Sequence, residues 1–205
     1  MANKNGAGFG LIPTRVLGQG PATSGYGQYW IDAGDSTAIY NGEAVYSAVG
    51  SILGAQGSAT AVTLGVLQGV FYNAATTIKP TWVNYYAGSI TPANSEDVQA
   101  FVYDNPFQIY RCGTDDAVAT TVAGAHEKIF ETYGFNTTAG STHDHLSGVE
   151  LDDSTTSSVS GQLRVVGVSK DIKNNELGAS HVNFVVMINE HFLKQQLAYN
   201  SRIGD

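Results

Sequence analysis

Several ingredients are scarce in this chain, and each scarcity removes a class of function. A single cysteine, Cys112, leaves no partner for an internal disulfide. Charged residues make up only 14% of the 205 positions, against roughly 25% in ordinary soluble domains. The ten Lys and Arg residues are scattered and the formal net charge is -8. Nucleic-acid binding needs clustered cations to displace counterions, so none is expected. No apolar run approaches the roughly 20 residues of a membrane-spanning helix, and no membrane association is expected. The opening Met1-Ala-Asn-Lys-Asn-Gly6 has no apolar stretch of the secretory kind. Synthesis in a reducing cytosol is the expectation.

Catalytic signatures are also missing. No Gly-x-x-x-x-Gly-Lys loop cradles a phosphate, no Gly-x-Gly-x-x-Gly opens a helix, and no Gly-x-Ser-x-Gly elbow presents a nucleophile. His143-Asp-His145 would place two imidazoles on one face of a strand, with Asp152 as a possible third zinc ligand. Its hydrophilic setting reads instead as a solvated loop. Glu190 beside His191 would suit an oriented general base, but no activated nucleophile accompanies it. The pairs Asp115-Asp116 and Asp152-Asp153 do not have calcium-loop spacing, and turn or cap roles suit them better. No catalytic, metal or cofactor site is assigned, and the protein is not expected to be an enzyme.

What the chain does have is glycine, 24 residues of it, and short β-type runs between turns. Residues 1–25 carry six glycines with Pro13 and Pro21, a density that opposes helix and regular strand pairing. Yet Phe9, Leu11, Ile12, Val16 and Leu17 are too apolar for an inert tail. Two readings stand: a segment folded back on its own domain, or an extended arm that docks on a neighbouring subunit with Arg15 as its charged anchor. From residue 26 to 191 the pattern predicts a β-rich body. Thr37–Tyr40 and Glu43–Tyr46 flank Asn41-Gly42, a hairpin signal. Val62–Tyr72 predicts a long strand bent at Gly65 and Gly69. Val98–Tyr103 and Phe107–Tyr110 flank a turn, and Gln162–Val168 and His181–Ile188 predict an adjacent buried pair. A short helix is expected within 115–124. Residues 192–205 form a tail with the spacing of a short amphipathic helix. The predicted class is mainly β, a single β-barrel or β-sandwich domain with an extended N-terminal arm and little helix.

Two aromatic stretches, Tyr26–Trp30 and Trp82–Tyr86, suit a protein interface, because Tyr and Trp combine large buried area with a polar handle. Stacking against sugars is the other use of such side chains.

Three stretches carry a resemblance: Gly8-Phe-Gly-Leu-Ile-Pro-Thr-Arg15, Val102-Tyr-Asp-Asn-Pro-Phe-Gln-Ile109, and Leu163-Arg-Val-Val-Gly-Val168 with Met187-Ile-Asn-Glu-His191. Their order resembles the head decoration, or cement, proteins of tailed double-stranded DNA bacteriophages, notably those of cyanophages. The resemblance implies a β-barrel or β-sandwich that attaches to the outer surface of an expanded capsid and bridges subunits of the major capsid protein. It implies a homotrimer or homodimer, made in the bacterial cytoplasm and resident on the virion. On that reading Phe9, Leu11, Ile12, Arg15, Val16 and Leu17 are capsid contacts, and Trp82, Tyr85 and Tyr86 are oligomer contacts. A tail or head-attached adhesin subunit and a carbohydrate-binding β-sandwich are the alternatives.

Overall fold

The structure, a computed structural model, describes residues 3, 7–18, 25–48, 50–54, 62–117, 119–157 and 161–194. The described chain is mainly β, two antiparallel sheets with almost no helix. The first sheet contains β1 (Ile12–Val16), β8 (Gln108–Gly113), β12 (Asn183–Ile188), β11 (Leu163–Val168), β9 (Thr132–Thr138) and β10 (Gly148–Ser157), in that spatial order. It curls back on itself. A parallel bridge joins Thr114, just past β8, to Leu151 of β10, and the Asp115 N–H donates to the Leu151 carbonyl. The second sheet runs β2 (Gly27–Ile31), β7 (Val98–Tyr103), β5 (Thr63–Ala74), β3 (Ala44–Ala48) and β4 (Ser51–Gly54). β6 (Lys79–Val83) pairs with the far half of β5, and β2 and β4 also come into contact.

Each sheet encloses its own apolar cluster. Tyr110, Cys112, Tyr133, Leu151, Leu163, Val165, Phe184, Val186 and Ile188 fill the first, joined by Leu11 and by Ala44 and Val66 of the second sheet. Ile31, Ile39, Ile52, Leu64, Leu67, Val70, Tyr86 and Val98 fill the second. Alternation explains the strands. Val98, Ala100 and Val102 are buried while Gln99, Phe101 and Tyr103 between them are half-buried, the two-residue period of a strand with unlike faces.

The expected pairing of β11 with β12 is present, in register Leu163–Ile188 to Val168–Phe184. The long strand is β5, and its register with β7 shifts between Leu67 and Gly69, where a bend was expected. The Asn41-Gly42 hairpin does not form between its flanking runs. Ile39 bridges to Tyr86 instead, and the Gly42 N–H donates to the Leu67 carbonyl. Among the described residues the one α-helix, α1 (Val122–Glu127), starts later than expected because Thr121 caps it, its hydroxyl accepting from the Gly124 N–H at 3.1 Å.

The N-terminal segment lies against its own body. Residues 12–16 pair antiparallel with β8, and Leu11 hydrogen-bonds to the Gly42 carbonyl at 2.8 Å. Phe9, Leu11 and Val16 are buried. Burying side chains of this size contributes roughly 1.5–3 kcal/mol each, enough to hold a short strand in place. This corrects the docking-arm reading for Phe9, Leu11 and Val16: their apolar surface is spent inside the chain. Asn3 is tied down as well, exchanging hydrogen bonds with the Glu176 backbone and donating to the Ser180 carbonyl at 2.7 Å.

Candidate functional site

Among the described residues, some exposed large apolar side chains stand apart (Ile78, Val122, Phe130 and Ile172), and others lie in two places of different character. The first is the end of the first sheet where β1 stops and β8 starts. Leu17 donates its N–H to the Phe107 carbonyl at 2.9 Å, which fixes the two side by side. Both are about half exposed, as are Phe192 and Leu193. Lys194, the next residue, donates to the Ile188 carbonyl at 2.7 Å and holds its ammonium 5.9 Å from the centre of the Phe107 ring. Burial, and then the nearby Arg164, hold its pKa below the usual lysine value. Arg15 is exposed on β1, two residues before Leu17. Lys194 thus meets Phe107, itself bonded to Leu17, while the Phe192 N–H donates to the Thr63 carbonyl of β5.

The second place is the outer face of the second sheet. Trp30 on β2 pairs with Gln99 on β7, Gln99 with Phe71 on β5, and Phe71 with Trp82 on β6. Directly paired residues share a face, so these four form one row. Beside it, Gln28 pairs with Phe101, and Phe101 with Gly69. The rings touch: Trp82 and Phe101 have centroids 4.8 Å apart, as do Tyr26 and Tyr103, and Tyr26 lies 6.5 Å from Phe101. Gly69 makes this possible. A Cβ there would come within 2.7 Å of Cζ2 of Trp82, so any larger residue would push the indole off the sheet.

Of the expected contact residues, Ile12 is partly exposed and Arg15 and Leu17 are exposed. Trp82 is 50% exposed. Tyr85 is partly buried, stacked between His145, at 3.7 Å, and Tyr40, at 6.4 Å. Tyr86 is fully buried, its hydroxyl donating to the Asp35 carbonyl at 2.7 Å. It belongs to the second core, which corrects its assignment as an oligomer contact. The expected tail helix lies almost wholly outside the described residues; Phe192–Lys194 form a turn.

The remaining candidates are also placed. His143 is exposed in a turn, and His145 adopts a left-handed backbone (φ 59°) with its ring against Tyr85. Among the described residues, neither joins a group of three possible metal ligands. The group that does form is Asp115, Asp152 and Asp153. Asp115 accepts there from the Asn136 amide and the Asp153 N–H, and Asp152 caps Ser154. Asp152 thus has the turn role expected of it, whereas Asp115 ties together segments 21 and 38 positions away. His191 is fully buried; its Nδ1 accepts from the Leu193 N–H at 3.1 Å, so that bond, not Glu190, orients the ring. Burial, reinforced by Lys194, lowers its pKa to about 4. Cys112 is buried and burial pushes its thiol pKa well up, which suits packing rather than nucleophilic attack. The His181 and Glu150 pair, 2.6 Å apart, escaped the sequence reading because 31 positions separate them. Burial raises the Glu150 pKa while His181 opposes the shift. Phe107 escaped it as a surface residue, because it sits at the start of an apolar strand whose next three residues are buried.

No family model, no curated protein and no solved structure matches this chain.

Proposed function

We propose that the chain is a virion structural protein that decorates the outer surface of an expanded phage capsid and bridges subunits of the major capsid protein. The observation that carries this reading is the exposed apolar pair Leu17 and Phe107, with Arg15 on β1 and Lys194 against the Phe107 ring. It includes residues of two stretches through which the sequence resembles cement proteins. Desolvating such a patch is favourable, at about 25 cal/mol per Å² of apolar surface. Its two cations stand out in an acidic chain and suit a carboxylate-bearing partner. Attachment only to the expanded shell stabilises that state by mass action. In a small closed oligomer the patch recurs around a symmetry axis, so one assembly grips several shell subunits.

Co-sedimentation with expanded and unexpanded shells of the cognate phage tests this. Saturable binding to expanded shells alone is expected. The double variant Leu17→Asp, Phe107→Asp should lose occupancy by tenfold or more while melting within a few degrees of the parent. Absence of binding to either shell, or full occupancy by the folded variant, would overturn the proposal.

A further inference from the structure

The aromatic face of the second sheet has no part in shell attachment as proposed, and its chemistry is different. Trp30 and Trp82, each 50% exposed, stand three strand spacings apart, about 14 Å. Phe71, Phe101 and Tyr26 fill the surface between and beside them. No side chain in these rows is charged. Asp32 and Asp97 are the nearest acidic residues along β2 and β7, and their carboxylates already accept from the Gly34 and Ala33 N–H groups. Two amides interrupt the rings. The Gln99 side-chain amide donates to the Gln28 side-chain carbonyl at 3.1 Å. Among the described residues that is the one hydrogen bond either side chain makes, so donors on Gln28 and the acceptor oxygen of Gln99 remain free. The hydroxyls of Tyr26 and Tyr103, 3.3 Å apart, add a second polar pair at the margin.

From this juxtaposition of half-exposed tryptophans and a part-filled amide pair on an uncharged sheet face, we propose a binding site for neutral oligosaccharide. A pyranose ring has an apolar C–H face and a rim of hydroxyls. The indoles accept the first through dispersion and their negative π-face, and the amides exchange hydrogen bonds with the second. A row about 14 Å long suits several consecutive sugar rings lying across the strands. Fixed rings and an amide already held by its neighbour have little freedom left to lose on binding. The proposal does not depend on shell attachment, which uses other residues on the other sheet.

Trp30 and Trp82 are the chain's two tryptophans, so intrinsic fluorescence reports on this face alone. The experiment titrates the full chain with neutral hexasaccharides of β-1,4-glucose, α-1,4-glucose and N-acetylglucosamine. It follows emission and, in parallel, heat of binding. A saturable blue shift with at least one of them is expected. Trp82→Ala and Trp30→Ala should each weaken the calorimetric affinity by roughly tenfold, whereas Leu17→Asp should leave it unchanged. Gln99→Leu, which keeps the rings and removes the amide, should weaken it less than either tryptophan change. Three results would overturn the proposal: no binding of any hexasaccharide, affinity that survives loss of both tryptophans, or a blue shift that grows with protein concentration without sugar. The last would make the face a contact between copies.

Discussion

His191 is neutral in the folded chain and ionises near pH 4, about 2.5 units below an unperturbed histidine. Between pH 6.5 and 4 the unfolded chain therefore binds a proton that the folded chain refuses. Its contribution to stability is intact above pH 6.5, falls through that window, and is flat below it. The full loss is about 3 kcal/mol. Urea midpoints at pH 7 and 4.5 should show the decline, and His191→Gln should flatten it even if less stable at both. A midpoint that holds steady down to pH 4.5 in the parent would contradict the burial of this ring. Glu150 acts in the opposite sense. Its raised pKa favours the protonated folded form, so its share of stability grows as pH falls, and the variant comparison separates the two. Tyr86 marks the limit of reading exposure from sequence. Trp82, Tyr85 and Tyr86 look alike as a surface cluster, but the first lies over Gly69, the second stacks on His145, and the third enters the core. Only the partners, 40 to 60 positions away along the chain for the latter two, distinguish them.

At the level of elements, β5, β7, β8, β11 and β12 were legible because alternation and apolar runs are local signals. The fate of the N-terminal segment was not. Its glycines resemble a loose arm in sequence, but in place they permit close packing. A Cβ on Gly8 would sit 2.6 Å from the Gly148 carbonyl oxygen, and one on Gly10 would sit 2.7 Å from that of Gly42 with φ at +75°. The same composition serves a free arm and a segment pressed against foreign backbone, and only the tertiary partners decide between them. Gly10→Ala should therefore destabilise by roughly 2 kcal/mol, a lower urea midpoint with an unchanged slope. Deleting residues 1–17 should cost much of the fold's stability rather than leave an intact body without its contact. A truncated chain melting within 2–3 °C of the parent, roughly the scale of a 1 kcal/mol change, would restore the docking-arm reading. The candidate patch was half legible: Arg15 and Leu17 were singled out from the sequence, while Phe107 needed the Leu17 hydrogen bond to place it.

Over the whole molecule, two curled sheets keep separate cores that meet through Leu11, Ala44 and Val66. Leu17 and Phe107 lie at the end of the first sheet, and the aromatic face belongs to the second. The two proposed activities can therefore be disabled independently, and substitutions in the two sites should be additive in stability. A combined Leu17→Asp, Trp82→Ala variant should lose shell occupancy and sugar affinity together, each to the extent of its single parent. Coupling between the two readouts beyond error would show that the sheets move as one responsive unit.

The pairing of β1 with β8 also sets an order of events during synthesis. Residues 12–16 leave the ribosome well before their hydrogen-bonding partners near residue 110 and before the wall at 148–150 against which Gly8 packs. At roughly 5–20 residues per second, the first strand waits on the order of ten seconds before its seat exists. Through that interval Phe9 and Leu11 have no burial site and stay exposed to water.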